Sequence, residues 1–400
     1  MIDKAKAKDF GIDTGRLEYM DRFLAKAAQD KWNSAIAICV ARRGVEVFSG
    51  AYGPASPGGP PLQLDMITDV QSVTKPVLAT LVMMLQEDGL LDVVDPLQKY
   101  YPELQGQDME GIALHHLLTH TSGMQDESAR THTMAFLKRI LPGDFPESDT
   151  SWEALVPVLE KARRMLGYSE DGDIHVFADR LRASAPLQSK PGTQFSYCNL
   201  GYRLLAGIVE GIAGETMDKL AEQKIFKPLG MLDSHFVLPE EKWPRVLLRE
   251  ESCRGGDWMN SVENRSSFAG SSGLKTTVGD MLRFGLLFGN MGTLDGVRIL
   301  SPASVRGMTK NYNAKVPDSY WRGRWYGSSW GLGWNVRAGK LDDMGILRSD
   351  EAYDHAGYGG ARLLVDPAHE LVVALYMVDE GDDDYILHAK TVNIIYSALD

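Results

Sequence analysis

The sequence predicts an α/β (α+β) fold in which strands from both ends of the chain build one sheet and a mainly helical segment is inserted between them. Strand-like apolar runs occur early, at residues 35–40 and 45–48, and late, at residues 361–365 and 371–378. Between them, from residue 72 to about 230, apolar residues recur mainly at helical spacing. This order favours a sheet domain that is discontinuous in the chain.

The expected domains follow the same order. We expect residues 1–71 and 270–400 to form the sheet domain and residues 72–269 to form the helical domain. A chain of 400 residues is long for one simple core, which favours two structural units. Within the helical part, residues 125–175 are a long, mixed-charge stretch with a weak helical pattern.

The individual elements can be predicted in chain order. Residues 14–30 carry apolar side chains on one helical face, and the first two strands form a hairpin that turns at Arg43-Gly44. After a Pro- and Gly-rich loop, a helix starts near Ser72 and stops at Gly89. Further helices are predicted at 134–141, 152–166, 200–212 and 281–288, after Ser301-Pro302, and at 385–399. Further strands are predicted at 332–336, 361–365 and 371–378.

Composition and charge argue against several classes of partner. The net charge of −12 and the pI near 5.3 do not favour binding to nucleic acid or to an anionic membrane. The charged first nine residues are not followed by the apolar core of a secretory signal, and no long apolar run occurs elsewhere. Three widely spaced cysteines fit a reducing compartment. We therefore expect a cytoplasmic protein that acts on a small molecule, either as a monomer or as a homo-oligomer.

The first candidate site residues open the helix near residue 72. Ser72 is expected where free backbone N–H groups and the helix dipole favour negative charge, and Lys75 follows three residues later on the same face. A hydroxyl beside an amine in an apolar surround predicts an activated nucleophile. The alternative is an ordinary helix N-cap, because chance supplies about one S-x-x-K motif in a chain of this length. A second match, Ser272 to Lys275, does not begin a predicted helix.

Two further stretches carry polar side chains in suggestive positions. Tyr197 and Asn199 lie two residues apart just before a predicted buried helix, so both side chains can point into one cleft. The alternative is a loop tyrosine that packs on that helix. His355 and Gly357 precede the strand at 361–365, where a glycine lets a substrate or another backbone approach closely. The alternative there is a glycine-rich turn.

In this order and spacing, the S-x-x-K, Y-x-N and H-x-G stretches resemble the motifs of the serine β-lactamase and penicillin-binding-protein superfamily. The resemblance is closer to its class C-like branch, which includes class C β-lactamases, family VIII carboxylesterases and D-aminopeptidases. It extends from about residue 14 to 380 and includes residues 116–123, 201–205, 270–277 and 299–302. It implies a β-lactamase-like fold, with a central antiparallel sheet flanked by helices and the active site between the two domains. Residues 125–175 look longer than the corresponding segment of many relatives, which indicates either a cap over the acyl or leaving-group pocket or a solvent-exposed insertion.

The resemblance also implies roles for individual residues. Ser72 would be the acylated nucleophile, and Lys75 and Tyr197 would exchange the proton that Ser72 loses and the leaving group gains. Asn199 would orient Lys75 and bind substrate. The backbone N–H groups of Ser72 and Tyr358 would form the oxyanion hole, which agrees with a helix N-terminus next to a strand edge. Neither a metal nor a cofactor is implied.

The resemblance leaves the substrate-binding residues less defined. His355 and Gly357 would line the site. Many relatives have lysine or tryptophan at the position of His355, whereas D-aminopeptidase-like members have histidine there, as this chain does. A histidine carries less positive charge than lysine at pH 7, so strong binding of a substrate carboxylate is not expected. Four tryptophans crowd one stretch and either wall an aromatic acyl pocket, with Trp330 as our candidate, or cover the sheet edge. They are Trp321, Trp325, Trp330 and Trp334.

Two other patterns favour structural roles. Residues 327–331 fit G-x-S-x-G, but a strand pattern follows Ser329 where a nucleophile elbow requires a helix. His115, His116 and His120 could suggest a metal site, but they lack an H-E-x-x-H pattern and an obvious carboxylate partner.

These observations lead to the hypothesis of a serine hydrolase that cleaves carboxylic esters through an acyl-enzyme on Ser72, as family VIII carboxylesterases do. The alternatives are an amidase or peptidase acting on small D-amino-acid or ω-amino-acid amides, a weak β-lactamase, and an acyltransferase that uses the same acyl-enzyme. From a different class, a catalytically silent binding homologue is the alternative. The presence of Ser72, Lys75 and Tyr197 together argues against it.

Overall fold

The computed structural model describes residues 4–104, 109–146, 149, 151–169, 173–318, 320, 328–379 and 384–400. Its strands are β1 (Asn33–Arg42), β2 (Val45–Tyr52), β3 (Thr68–Asp69), β4 (Lys275–Thr276), β5 (Thr293–Leu294), β6 (Val297–Arg298), β7 (Asn335–Val336), β8 (Tyr353–Gly357), β9 (Ala361–Asp366) and β10 (Leu371–Asp379). Its α-helices are α1 (Lys4–Asp9), α2 (Thr14–Gln29), α3 (Thr74–Glu87), α4 (Leu114–Leu118), α5 (Asp126–Ile140), α6 (Trp152–Met165), α7 (Ile174–Ala183), α8 (Asn199–Ala213), α9 (Met217–Ala221), α10 (Val262–Ser266), α11 (Val278–Gly289), α12 (Pro302–Met308) and α13 (Asp384–Tyr396).

Within the described residues, the main sheet has six antiparallel strands in the order β2-β1-β10-β9-β8-β7. Strand β1 pairs with β10, so the two ends of the chain meet in the centre of the sheet. The hairpin between β1 and β2 turns through Arg43 and Gly44, which both have positive φ, as a two-residue hairpin turn requires. The prediction of one sheet built from both termini is therefore confirmed.

Both faces of this sheet are covered by helices. Successive side chains of a strand point to opposite faces, and both sets are apolar in β1. Ala35, Ala37 and Cys39 join the core formed with α3, α8 and α11. Ile36 and Ile38 join the core formed with α2 and α13. A strand that is buried on both faces appears in the sequence as a continuous apolar run, which explains why β1 and β10 could be predicted.

Residues 125–175, which we call the inserted segment after the expectation above, contain α5 and α6, and α7 begins at their end. These three helices share a small apolar core that includes Leu137, Val158 and Phe177. Helix α7 also packs on α8, and α5 begins at Asp126. The helices predicted within this segment are confirmed, although α5 starts earlier than predicted. The division into two domains and the role of this segment as a cap stay predictions. No helix among the described residues is both long enough and apolar enough to span a membrane.

The predicted strand at residues 332–336 is wrong in its first half. Only the two residues of β7 are paired in the sheet. Gly331 and Gly333 lie in a tight turn, and Gly333 has a φ of +91°. A Cβ atom at Gly333 would lie 2.5 Å from Cβ of Ala79 in α3, so the turn is pressed against that helix and leaves no room for a strand.

Strand β8, by contrast, was not predicted, because its polar and glycine residues, in the sequence YDHAG, lack the apolar pattern of a strand. Asp354, in the middle of β8, is buried and accepts hydrogen bonds from Arg348 at 2.6 Å and from Asn335 at 3.0 Å. Buried polar residues that find partners elsewhere in the fold break the apolar pattern that identifies a strand.

Candidate active site

Ser72 lies in a short 3-10 turn, Gln71–Val73, that leads directly into α3. The N-cap position of α3 is taken by Val73, and no side chain caps the helix. The alternative interpretation of Ser72 as an N-cap is therefore wrong. Gln71 has a φ of +48°, and its N–H donates to Asp69 Oδ1 at 2.8 Å, which helps to stabilise this unfavourable backbone conformation.

Lys75 is 0% exposed, and its Nζ atom has three hydrogen-bond partners. These are Ser72 Oγ at 2.9 Å, Asn199 Oδ1 at 2.8 Å and the backbone oxygen of Ser271 at 2.9 Å. The two carbonyl oxygens can only accept, whereas the Ser72 hydroxyl can also donate. A neutral Lys75 amine therefore satisfies all three contacts with two N–H groups and a lone pair directed at Ser72, and a charged one satisfies them with three N–H groups.

Burial lowers the pKa of Lys75 to about 7, because removal from water disfavours the charged form. The negative charge of Asp126 acts in the opposite direction, and the positive charge of Arg203 adds to the lowering. A substantial fraction of Lys75 is thus neutral near pH 7. Its amine lies in hydrogen-bonding contact with Ser72 and can accept the hydroxyl proton without any movement of the chain.

Tyr197 adds a neutral phenol to this pair. Its ring centroid lies 4.8 Å from Lys75 Nζ, and its ring stacks on His120 at a centroid distance of 4.2 Å. Burial raises the pKa of Tyr197 above the usual value, and a hydrogen bond with Ser72 opposes this effect. Tyr197 therefore holds its proton at neutral pH in the resting site, whereas the pKa of Lys75 lies near 7.

Asn199 is the first residue of α8, and Asp126 of the inserted segment determines its orientation. Asp126 Oδ2 accepts from the backbone N–H of Asn199 at 2.8 Å and from Asn199 Nδ2 at 2.9 Å. The amide oxygen of Asn199, Oδ1, is thereby left to accept from Lys75. Sequence analysis missed Asp126. One signal was present: Cys198 occupies the N-cap position of α8, where its side chain makes no capping bond, so the free N–H groups of this helix required a hydrogen-bond acceptor from elsewhere.

His355 lies in β8, 2% exposed, and its Nδ1 atom hydrogen-bonds to the backbone oxygen of Ala356 at 2.9 Å. Burial lowers the pKa of His355 to about 3, and the nearby charge of Lys75 adds to this effect. Gly357 follows at the end of β8, where a Cβ atom would lie 2.1 Å from the backbone oxygen of Val70. Glycine is needed there because the strand lies directly against the turn that carries Ser72.

Comparison with known proteins agrees with this arrangement. The sequence model of the family described as Beta-lactamase matches residues 20–393, which is most of the chain. The chain belongs to the β-lactamase family. The predicted superfamily, that of β-lactamase-like and penicillin-binding-protein-like serine hydrolases, is therefore confirmed.

Relatives of this β-lactamase-family chain carry different activities in their names. It is 26% identical over 273 residues to the D-alanyl-D-alanine-carboxypeptidase/endopeptidase AmpH of Escherichia coli (strain K12), a match that covers 67% of this chain and 60% of AmpH. It is 29% identical over 244 residues to the esterase EstB of Burkholderia gladioli, covering 58% of this chain and 54% of EstB. The matches thus span less than two thirds of either relative.

A solved structure extends the likeness to the whole β-lactamase-like fold. The crystal structure of a family VIII carboxylesterase superposes with a TM-score of 0.71 at 19% identity and covers 97% of this chain and 99% of that chain. At this level of identity the likeness shows the fold, and the predicted fold class is confirmed.

Among the remaining candidates, Trp330 lies beside the site of this β-lactamase-family protein and Trp334 does not. Trp330 is 4% exposed and packs edge-to-face on Tyr197 and His355, with centroid distances of 5.9 and 5.7 Å. Trp334 is buried in the main core against Phe288, so of the two alternatives left open for this cluster the structural one holds for Trp334. The assignment of Trp330 to an acyl pocket stays a prediction. The two other tryptophans of that stretch, Trp321 and Trp325, lie outside the described residues.

Tyr358 follows Gly357 in the turn between β8 and β9. Its side chain is 51% exposed and stacks on Trp258 at a centroid distance of 6.4 Å. The position next to Gly357 brings the backbone of Tyr358 close to the turn of Ser72. Its role as the second oxyanion donor stays a prediction.

The second S-x-x-K match makes no comparable pair. Lys275 Nζ donates to the backbone oxygens of Phe236 at 2.9 Å and Ser267 at 2.5 Å. These contacts give Lys275, which belongs to β4, a structural role. The structure describes residues Ser328 to Gly331 of the G-x-S-x-G match, which lead into the tight turn at Gly331 and Gly333 and then into β7.

Proposed function

We propose that this protein is a serine hydrolase that cleaves carboxylic esters through an acyl-enzyme on Ser72. The observation that carries the proposal is the contact between Lys75 Nζ and Ser72 Oγ at 2.9 Å, made by a fully buried lysine whose pKa lies near 7. An amine that is partly neutral at physiological pH and already hydrogen-bonded to a hydroxyl is an efficient general base for that hydroxyl.

In the proposed acylation, the neutral Lys75 amine accepts the proton of Ser72 as Oγ bonds to the carbonyl carbon of the ester. The C–O bond to the alcohol then breaks, and the departing oxygen takes a proton from the Tyr197 hydroxyl, which Lys75 reprotonates. In deacylation the oxygen of a water molecule bonds to the acyl carbon while the same pair accepts its proton. The bond between the acyl carbon and Ser72 Oγ then breaks, the pair returns the proton to Oγ, and the carboxylic acid is released. The backbone N–H groups of Ser72 and Tyr358 stabilise the oxyanion in both steps.

The environment of His355 supports neutral esters over substrates that carry a carboxylate. Its pKa near 3 leaves this histidine uncharged at neutral pH, so the third motif contributes no positive charge. The likeness to the esterase EstB supports the same substrate class. The likeness to AmpH, a D-alanyl-D-alanine-carboxypeptidase/endopeptidase by name, favours a peptidase or amidase as the second candidate. A cytoplasmic location stays a prediction.

The proposal can be tested with wild type, Ser72→Ala and Ser272→Ala, each incubated with short p-nitrophenyl esters, nitrocefin and a D-amino-acid p-nitroanilide while the intact protein mass is followed. Ser272→Ala is the matched control, because it removes the serine of the second S-x-x-K match. We expect wild type and Ser272→Ala to cleave the esters and to form an acyl adduct, and Ser72→Ala to do neither.

Each other outcome has a clear meaning. Full ester turnover by Ser72→Ala would refute the mechanism. Absence of both turnover and adduct in the wild type would favour a silent homologue. Faster cleavage of the anilide than of the esters would favour the amidase, and rapid cleavage of nitrocefin would favour a β-lactamase.

A further inference from the structure

The inserted helical segment contacts the proposed site through Asp126, the first residue of α5. Its carboxylate accepts four hydrogen bonds at the start of α8. Oδ2 accepts from N and Nδ2 of Asn199 at 2.8 and 2.9 Å, and Oδ1 accepts from Leu200 N at 2.9 Å and from the Cys198 thiol at 3.4 Å. A carboxylate is well suited to this position because it can only accept hydrogen bonds, and the helix N-terminus presents donors.

This arrangement leaves the Asn199 amide only one favourable orientation. Nδ2 donates to Asp126, and Oδ1 accepts from Lys75 Nζ at 2.8 Å. A flipped amide would place its oxygen against the carboxylate and its N–H groups against the amine of Lys75. Both hydrogen bonds would then be lost in a buried setting, where unmade bonds are costly.

We propose that Asp126 is a positioning residue for the chemistry at Ser72. Through Asn199 it orients the Lys75 amine toward the Ser72 hydroxyl, and its negative charge balances the buried positive charge that Lys75 acquires when it accepts the proton. The inserted segment thereby becomes part of the proton-transfer machinery, although it does not touch Ser72. The consequence for turnover rests on the proposed function, whereas the coupling between the charges of Asp126 and Lys75 does not.

The other groups that face Lys75 do not replace this charge. Arg203 of α8 has the opposite effect on Lys75 and is itself paired with Asp179 at 2.9 Å. The other titratable neighbours among the described residues lie in the turn after α4, in the segment before α8, in α8 and in β8, and their shifted pKa values leave all of them neutral at pH 7. They are His120, Tyr197, Cys198, Tyr202 and His355.

The test is to titrate Lys75 by NMR in the full-length protein labelled with ¹³C at lysine Cε, with the signal assigned by its loss in Lys75→Arg. In wild type we expect the signal to titrate near pH 7. Asp126→Asn keeps the size of the side chain and removes its charge, and at a separation spanned by one amide group it should lower the pKa of Lys75 by about 1. Glu127→Gln is the matched control, because it removes the neighbouring, exposed carboxylate, which pairs with Arg130. It should leave the titration unchanged.

An unchanged Lys75 titration in Asp126→Asn would overturn the proposal, and so would an equal change in Glu127→Gln. This measurement needs no substrate, so it remains decisive if ester hydrolysis is not the reaction.

With an ester substrate, Asp126→Asn should also move the acidic limb of the kcat/KM profile to lower pH, because the pKa of Lys75 is lower. It should reduce the plateau of kcat/KM by about 10-fold or more, because the amine is less well oriented. Asp126→Glu retains the charge and should keep the limb near its wild-type position. If Asp126→Asn does not fold, Asp126→Glu provides the test. An acidic limb that moves to lower pH in this variant, although the charge is retained, would refute the proposal. An unmoved limb would support it.

Discussion

Replacing Lys75 with methionine is expected to abolish hydrolysis and to change how the stability of the protein depends on pH. Methionine is unbranched and uncharged, so it can fill the same buried space. In the wild type, burial lowers the pKa of Lys75 from 10.5 to about 7. The unfolded chain therefore binds more protons than the folded chain between these two values, and the free energy of unfolding rises with pH across that window. The penalty for burying Lys75 is fully present below pH 7 and is absent above the unfolded pKa.

The size of the effect follows from the size of this pKa difference. At about 1.4 kcal/mol per pH unit, the change from 10.5 to about 7 corresponds to about 5 kcal/mol. The substitution also leaves Asn199 Oδ1 and the Ser271 oxygen without the donor that Lys75 supplies, at a cost of about 1–3 kcal/mol each. That cost does not depend on pH. The stability of Lys75→Met relative to wild type should thus fall by about 5 kcal/mol between pH 7 and the unfolded pKa.

The assay is urea-induced unfolding of both proteins at several pH values from 6 to 10, with the difference between their free energies of unfolding plotted against pH. Lys26→Met is the matched control, because Lys26 is an exposed lysine of α2 that pairs with Asp30 at 2.7 Å. Its difference from wild type should stay small throughout, as for most surface pairs. A difference between Lys75→Met and wild type that stays constant from pH 7 to 10 would refute the reasoning.

Three other outcomes are expected. For a p-nitrophenyl ester, kcat/KM should fall about 10-fold per pH unit well below pH 7, because protonation of Lys75 removes the base; a flat profile from pH 5 to 7 would contradict this. Gly357→Ala should lower activity about 10-fold or more and reduce the Tm, because its Cβ would lie 2.1 Å from the Val70 oxygen. Gly211→Ala is the control and should preserve activity and Tm, because no atom lies within 4 Å of its Cβ. Trp330→Ala should change the preference among acyl chain lengths as well as cost about 3–5 kcal/mol of stability. An unaltered chain-length profile would assign Trp330 to the core alone.

How much of the fold could be predicted depended on how local its signals are. The strands β1 and β10 are continuous apolar runs, and α8 has helical periodicity that ends at Gly214 in the left-handed conformation, so all three could be identified from neighbouring residues. Strand β8 could not be identified in this way, because burial of its residue Asp354 requires the hydrogen bond from Arg348, and the position of Arg348 depends on the fold. The same holds for the tight turn before β7, which is imposed by the approach of α3.

For the candidate site, the sequence by itself determined the identity and order of the three motifs. S-x-x-K and Y-x-N are local patterns, and the helices that follow them are predictable from periodicity. Only the tertiary structure decided which group is poised to accept a proton. Lys75 meets Asn199 and Ser271, 124 and 196 residues away, and Asp126 meets Asn199 across 73 residues. Desolvation and charge act through space, so the lowered pKa of Lys75, the retained proton of Tyr197 and the contribution of Asp126 emerge only when these distant segments pack together.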